Sequence, residues 1–304
     1  MKRSAVILLI IFFCGAFSAE LRYTKKTDFT KNFTSKYKDY KAVMLVDLTN
    51  GQILYENNAY QKLEIASLTK MMSILLVVEA IRDRKFSLKD IVTTSRAASK
   101  MGGTQIFLSE NEKMSVEDLL KSAIMKSAND AMFALAEKVS GQGKVDLFVD
   151  MMNKRAKELK LTQSEFNYPH GLPPSRKDRK KGIKGNMSSC YDLVVLAEEL
   201  IKFPVVMKYS STWMDTIRTG KNMFQLRNTS KLIRDYKYFD GLKTGFYWKA
   251  GFCIVATAKK DGIRMVAVVL GSKTSRGGRN KFINSLVTWG FDEVSKQKFT
   301  DIKK

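Results

Sequence analysis

Three short groupings of residues hold the chemistry this chain offers. Ser67-Leu-Thr-Lys70 sets a hydroxyl and an amine three residues apart. Ser127-Ala-Asn129 supplies a second hydroxyl and an amide, and Lys243-Thr244-Gly245 opens an apolar run with a second lysine. Together they provide a nucleophile, two lysines, a proton-relay hydroxyl and an amide, the kit needed to open an acyl bond through a serine ester. None is specific alone. Ser-x-x-Lys recurs at Ser35/Lys38 and Ser295/Lys298, Ser-x-Asn recurs at Ser109/Asn111, and Arg218-Thr219-Gly220 nearly copies the lysine triplet.

The neighbouring sequence separates these copies. Ser67 runs into Met71–Ile81, an apolar stretch that predicts a mostly buried helix over 67–84. The serine then lies in the first turn, where free N–H groups and the helix dipole favour developing negative charge. Residues three apart share a helix face, so the Lys70 ammonium reaches the Ser67 hydroxyl. Ser35/Lys38 falls in a lysine-rich approach to a strand, and Ser295/Lys298 in a polar tail. Serine is also a common helix cap, which is the plainer role open to Ser67.

Elements to position these groups are legible along the chain. Asn50-Gly51 between Ala42–Asp47 and Gln52–Tyr55 predicts a hairpin. Ser115 opens a helix with a capping box and leads to Ser127. Helices are expected over 131–139, 145–161 and 189–202, with Pro204 beyond the last, and a closing helix over 280–290. Strands are expected over 241–246, 250–258 and 263–270, the last two joined through Asp261-Gly262. Residues 173–186 read as a basic loop without hydrophobic period.

An N-terminal hairpin, a central helical block and C-terminal strands imply a mixed α/β fold. Its mainly antiparallel sheet is built from both chain ends and flanked by helices, with an inserted helical subdomain. The three groupings then meet in a cleft at the junction. The division expected is a signal peptide over 1–19, a polar lead-in over 20–40, a catalytic domain over 41–292 and a short polar tail over 293–304.

Met1-Lys-Arg followed by apolar Ala5–Phe13 and small residues is the pattern of an export signal, with Ala16 and Ser18 at the −3 and −1 positions and cleavage after Ala16 or Ala19 as alternatives. Export places the chain in the periplasm or another extracytoplasmic space, membrane-associated if the signal is retained. The 304 residues carry a formal charge of +23, and loss of Lys2 and Arg3 with the signal leaves +21. Such a charge suits an anionic wall polymer or membrane surface, or simply a solvated lysine-rich face. Nucleic acid is not expected. With a single histidine, His170, the chain offers neither a zinc cluster nor a Ser-His-Asp triad, and no metal or cofactor is expected. His170 sits in Tyr-Pro-His-Gly, a turn that reads as structural. Cys190 and Cys253 read as buried thiols rather than a bridge.

The three groupings and their flanks resemble the serine D-Ala-D-Ala carboxypeptidases, low-molecular-mass penicillin-binding proteins of the penicilloyl-serine transferase superfamily. The likeness runs from about residue 40 to 292. It is carried by Glu64-Ile-Ala-Ser-Leu-Thr-Lys-Met, Gly102-Gly-Thr-Gln-Ile-Phe-Leu, Ser127-Ala-Asn-Asp-Ala, Asp240-Gly-Leu-Lys-Thr-Gly, Ala250-Gly-Phe and Leu286-Val-Thr-Trp-Gly-Phe. The resemblance implies a DD-peptidase/β-lactamase-like fold in which Ser67 is the nucleophile, Lys70 its base, Ser127 a proton relay and Asn129 a hold on the acyl amide. Lys243 and Thr244 would take the substrate carboxylate, and Gly245 would let the backbone pass close by. The amides of Ser67 and Phe246 would form the oxyanion hole, with Arg279 near the terminal carboxylate and Arg276 as its competitor.

The activity implied is removal of the terminal D-Ala from peptidoglycan stem peptides, with muropeptides as substrates and β-lactams as covalent inhibitors. Endopeptidase or transpeptidase action would use the same residues. Phe246 departs from the polar residue often found after Lys-Thr-Gly. Two alternatives stand beside this reading. A class A-like β-lactamase would need a glutamate and asparagine to drive water, and Glu165-Phe-Asn167 is a close-spaced candidate. A non-catalytic cationic wall-binding protein would need only the charge.

Overall fold

In the computed structural model, residues 22–25 and 39–302 are described. The expected signal peptide, its cleavage point, most of the lead-in and the Ser35/Lys38 pair lie outside them.

Six strands form one sheet: β1 (Thr24–Lys25), β2 (Ala42–Asp47), β3 (Gln52–Asn57), β4 (Phe239–Tyr247), β5 (Gly251–Lys260) and β6 (Ile263–Ser272), in the order β1-β3-β2-β6-β5-β4. β1 runs parallel to β3 and the remaining neighbours are antiparallel. Both expected hairpins form, with Gly51, Asp261 and Gly262 supplying the positive φ that their turns require. Among the described residues, the outer edge of β4 has no strand partner.

Both faces of the sheet are covered, so its strands read as nearly continuous apolar runs. Along β2 and β6 the side chains alternate. Val43, Leu45, Met265, Ala267 and Val269 pack on one face against Phe282, Ile283, Leu286 and Val287 of α7 (Arg276–Ile302). Ala42, Met44, Val46, Val266, Val268 and Leu270 face the helical block on the other. That block comprises α1 (Lys70–Arg82), α2 (Val116–Lys121), α3 (Asn129–Ser140), α4 (Val145–Glu158), α5 (Cys190–Ile201) and α6 (Pro204–Ser211).

α1 is buried from Lys70 through Ala80, as a helix apolar on every side must be. Its one acid in that stretch, Glu79, is held by Arg155 of α4, with Nη2 2.7 Å from Oε1. Replacing any of its large apolar side chains with alanine would cost about 2–5 kcal/mol.

Several elements differ from the sequence reading. The serine helix begins at Lys70, after a 3₁₀ turn over Ala66–Thr69. The capping box at Ser115 forms by half, its Oγ accepting from the Asp118 amide at 3.0 Å. The following helix widens into a π turn over Ser122–Lys126 and stops at Ser127. The basic loop contains a turn of helix, Arg176–Lys180, closed by reciprocal bonds between Ser175 and Asp178. Pro204 starts a helix instead of ending one, because its missing N–H costs nothing at the first helical position. α7 extends to Ile302, so the expected polar tail is largely helical.

Candidate active site

Ser67 sits in the 3₁₀ turn that precedes α1, on a backbone entered through Ala66 at φ +47. Two glycines crowd this turn. A Cβ on Gly171 would collide with the Ala66 carbonyl, and a Cβ on Gly245 would lie 2.8 Å from the Ile65 carbonyl and 3.0 Å from the Ser67 nitrogen. Ser67 is therefore gripped between β4 and the loop after Tyr168.

Lys70 is fully buried one turn on, with its Nζ 3.3 Å from Ser67 Oγ. The same nitrogen donates to Asn129 Oδ1 at 2.6 Å and to the His170 carbonyl. Burial, reinforced by the positive charge of Lys243, holds this amine well below the ordinary lysine range; Asp130 opposes the shift. Deprotonated, an amine so placed would donate to Asn129 and His170 and present its lone pair to the Ser67 hydroxyl, as a general base for that hydroxyl must.

Ser127 ends the π turn in the left-handed region at φ +65, a conformation costing about 1–3 kcal/mol for a side-chain-bearing residue. The turn delivers its Oγ to a buried position without a hydrogen-bond partner. Asn129 is fixed through its main chain, its amide donating to the Thr104 carbonyl at 2.7 Å, and through Nδ2, which donates to the Gly102 carbonyl at 2.8 Å. A Cβ on Gly103 would lie 2.7 Å from that Nδ2. The buried carboxylate of Asp130 holds the same loop by accepting from the Ile106 and Leu108 amides.

Lys243, Thr244 and Gly245 lie on β4, facing the serine turn. Lys243 is buried, and its ammonium is depressed to about 7 by loss of solvent. Its Nζ donates to the Thr244 carbonyl at 3.2 Å, and the Thr244 hydroxyl donates to Thr229 Oγ1 at 2.8 Å. Phe246 is 44% exposed and stacks on Phe252 with ring centroids 4.3 Å apart.

The fold brings Ser67, Lys70, Asn129 and the Lys243–Gly245 stretch together, with Ser127 beside Asn129 in the chain. Arg279 holds a main-chain carbonyl. It is 2% exposed in the first turn of α7, and its Nη1 donates to the Cys253 carbonyl at 2.9 Å. Cys253 pairs with Gly245 and sits where the β5–β6 register shifts. The guanidinium thus satisfies a carbonyl at a β-bulge on the strand paired with the triplet strand, and burial lowers it to about 10. Arg276 is exposed.

Glu165 is also engaged elsewhere, its Oε2 2.7 Å from Lys62 Nζ at the surface. Among the described residues, no group of three or more His, Cys, Asp and Glu side chains is arranged to hold a metal. Cys190 and Cys253 are free and buried, and burial raises both thiols, Cys253 to about 11.

Sequence reasoning passed over the loop that closes the site. His170 contributes its carbonyl, not its ring, which is buried and pushed down to about 3 by desolvation, with the Lys70 charge adding to the effect. Asn186 ties this loop to the serine turn: Nδ2 donates to Thr69 Oγ1 at 2.9 Å, and Oδ1 accepts from the Asn167 and Tyr168 amides. The available signal was His170-Gly171, since the glycine stands at φ +80. Side-chain chemistry alone pointed away from it.

The model of the D-alanyl-D-alanine carboxypeptidase family matches residues 30–274. The D-alanyl-D-alanine carboxypeptidase DacF of Bacillus subtilis is 38% identical over 254 residues, covering 83% of this chain and 62% of its own. DacC of Escherichia coli is 34% identical, with 83% and 61% covered. The chain thus spans somewhat over three fifths of these relatives. Penicillin binding protein 6B from Escherichia coli superposes with a TM-score of 0.76 at 33% identity, covering 88% of this chain and 81% of that one. Penicillin-Binding Protein D2 from Listeria monocytogenes, solved in an ampicillin-bound form, gives 0.72 at 28% identity, with 85% of this chain and all of that one covered.

Proposed function

Since this chain belongs to the D-alanyl-D-alanine carboxypeptidase family, we propose that it cleaves the terminal D-Ala from peptidoglycan stem peptides through an acyl-enzyme on Ser67. The observation that carries this reading is the Lys70 amine, buried, depressed, and set between Ser67 Oγ, Asn129 Oδ1 and the His170 carbonyl.

In the proposed reaction Ser67 Oγ attacks the carbonyl of the penultimate D-Ala while Lys70 takes the hydroxyl proton. Lys243 Nζ donates to the Thr244 carbonyl, and in the proposed alignment that carbonyl lies on the outer edge of β4. Main-chain groups alternate along a strand, so the Phe246 N–H is directed to the same edge. With the Ser67 N–H it forms the oxyanion hole. The unpaired Ser127 hydroxyl relays the proton from Lys70 to the departing amine, and free D-Ala leaves. Water then attacks the ester, Lys70 accepts its proton, and Ser67 is regenerated with release of the shortened peptide.

Lys243 and Thr244 take the substrate carboxylate, and Asn129 orients the acyl amide. β-Lactams acylate the same serine, with ring opening in place of D-Ala departure. This chemistry places the enzyme outside the cytoplasm, on the wall. Among the described residues no helix is long and apolar enough to cross a membrane.

Intact mass after incubation with benzylpenicillin tests the reading. A stable adduct on the wild type, missing from Ser67→Ala, supports it. Rapid drug turnover without an adduct would favour a β-lactamase, and complete inertness a binding protein.

A further inference from the structure

β4 gives the substrate a direction. With the leaving carboxylate at Thr244 and the scissile carbonyl at Phe246, the strand continues through Tyr247 to Trp248 and Lys249. A donor peptide aligned on this edge runs its upstream part past those residues.

There the surface is hollow and cationic. A cavity of 440 Å³ lies between Leu63–Glu64, the β4–β5 turn and the basic loop, and Lys41, Lys62, Arg179, Lys184 and Lys249 converge on it with Glu64 as its one acid. An adjoining cavity of 260 Å³ shares Lys41 and Lys249 and adds Lys273, Phe246 and Trp248. Trp248 is 92% exposed with its ring against Phe246 at 5.9 Å between centroids. Glu64 is committed to Lys249 at 2.7 Å, and Lys62 to Glu165. No described carboxylate lies within ion-pair distance of Lys41, Arg179 or Lys184. A scattered solvated face would not place so many cations around one concavity, next to a bare aromatic and in line with the reacting strand.

We propose that this hollow is a subsite for an anionic group, carboxylate or phosphate, carried on the acyl-donor strand upstream of the scissile bond. Resting on the peptidase reading above, it assigns the preferred donor as an acidic strand. Arg179 and Lys184 supply the unpaired charge, and Trp248 offers a flat face to the segment between the anion and the reacting carbonyl.

The test compares Arg179→Glu/Lys184→Glu with wild type on two donors, a neutral diacylated tripeptide ending in D-Ala-D-Ala and a muropeptide with free upstream carboxylates. Both side chains are exposed, and benzylpenicillin acylation checks that the reacting groups are intact. The expected result is a KM for the acidic donor raised about tenfold, with the neutral donor and acylation within about twofold of wild type. The effect should shrink with salt, and Arg179→Gln/Lys184→Gln should fall between.

Equal changes on both donors, or none on either, would overturn the subsite. If the acidic donor is unaffected while a poly(glycerol phosphate) binds wild type and not the variant, the anion belongs to a separate polymer and the donor assignment fails. Absence of both a benzylpenicillin adduct and D-Ala release in wild type would instead sink the peptidase reading itself.

Discussion

Gly245 lies against Ser67 so closely that a methyl group on it would stand 3.0 Å from the serine's amide nitrogen and 3.1 Å from that of Leu68. Both contacts are to backbone, which cannot swing aside as a side chain does. The distance from β4 to Ser67 is therefore set by the absence of a Cβ.

Gly245→Ala should push β4 away from the serine turn and separate the two oxyanion donors. The expected loss in benzylpenicillin acylation is about 10²–10³-fold, the usual consequence of displacing one such donor. A thermal melt within a few degrees of wild type should accompany it. Retained acylation would mean that the strand and turn part without harm.

Lys70→Ala should slow acylation by about 10²–10⁴-fold, the range for losing a general base. The pH profile is the sharper readout. Burial and Lys243 both lower Lys70, so its neutral form is available well below the ordinary lysine range, and acylation rises with pH along that limb. Lys243→Gln removes the positive neighbour, which raises Lys70 and must move the limb to higher pH. An unmoved limb would show that the two charges do not communicate.

His170 carries a stability signature of its own. Its ring is held near 3 in the fold and returns to about 6.5 when unfolded. Below 6.5 the unfolded chain therefore binds a proton that the folded chain refuses, and stability falls as pH drops toward 3. By pH 4.5 this amounts to about 2–3 kcal/mol. His170→Gln should flatten that part of the acid limb in melts recorded from pH 7 to 4.5. An unchanged slope would refute it.

Arg279→Ala leaves the Cys253 carbonyl buried without its donor, which costs about 1–3 kcal/mol. Because the guanidinium supports the strand behind Gly245, peptide cleavage and β-lactam acylation should fall together. A loss confined to the peptide with its free carboxylate would return Arg279 to direct substrate contact.

The sequence alone sufficed for what local spacing governs. Ser67 and Lys70 are three residues apart in a turn leading into a helix, so their proximity follows from helical geometry wherever that helix lies. The hairpins at Asn50-Gly51 and Asp261-Gly262, and the apolar strands of a sheet covered on both faces, were equally readable. The tertiary structure decided the rest. Lys70 meets Asn129 across 59 positions and the His170 carbonyl across 100, and neither separation carries a periodicity. A carbonyl belongs to every residue and leaves no trace in composition, so the loop's part in holding the base was hidden. The bond from Arg279 to the Cys253 carbonyl was hidden for the same reason, since the register shift at Cys253 leaves no mark in the residue order.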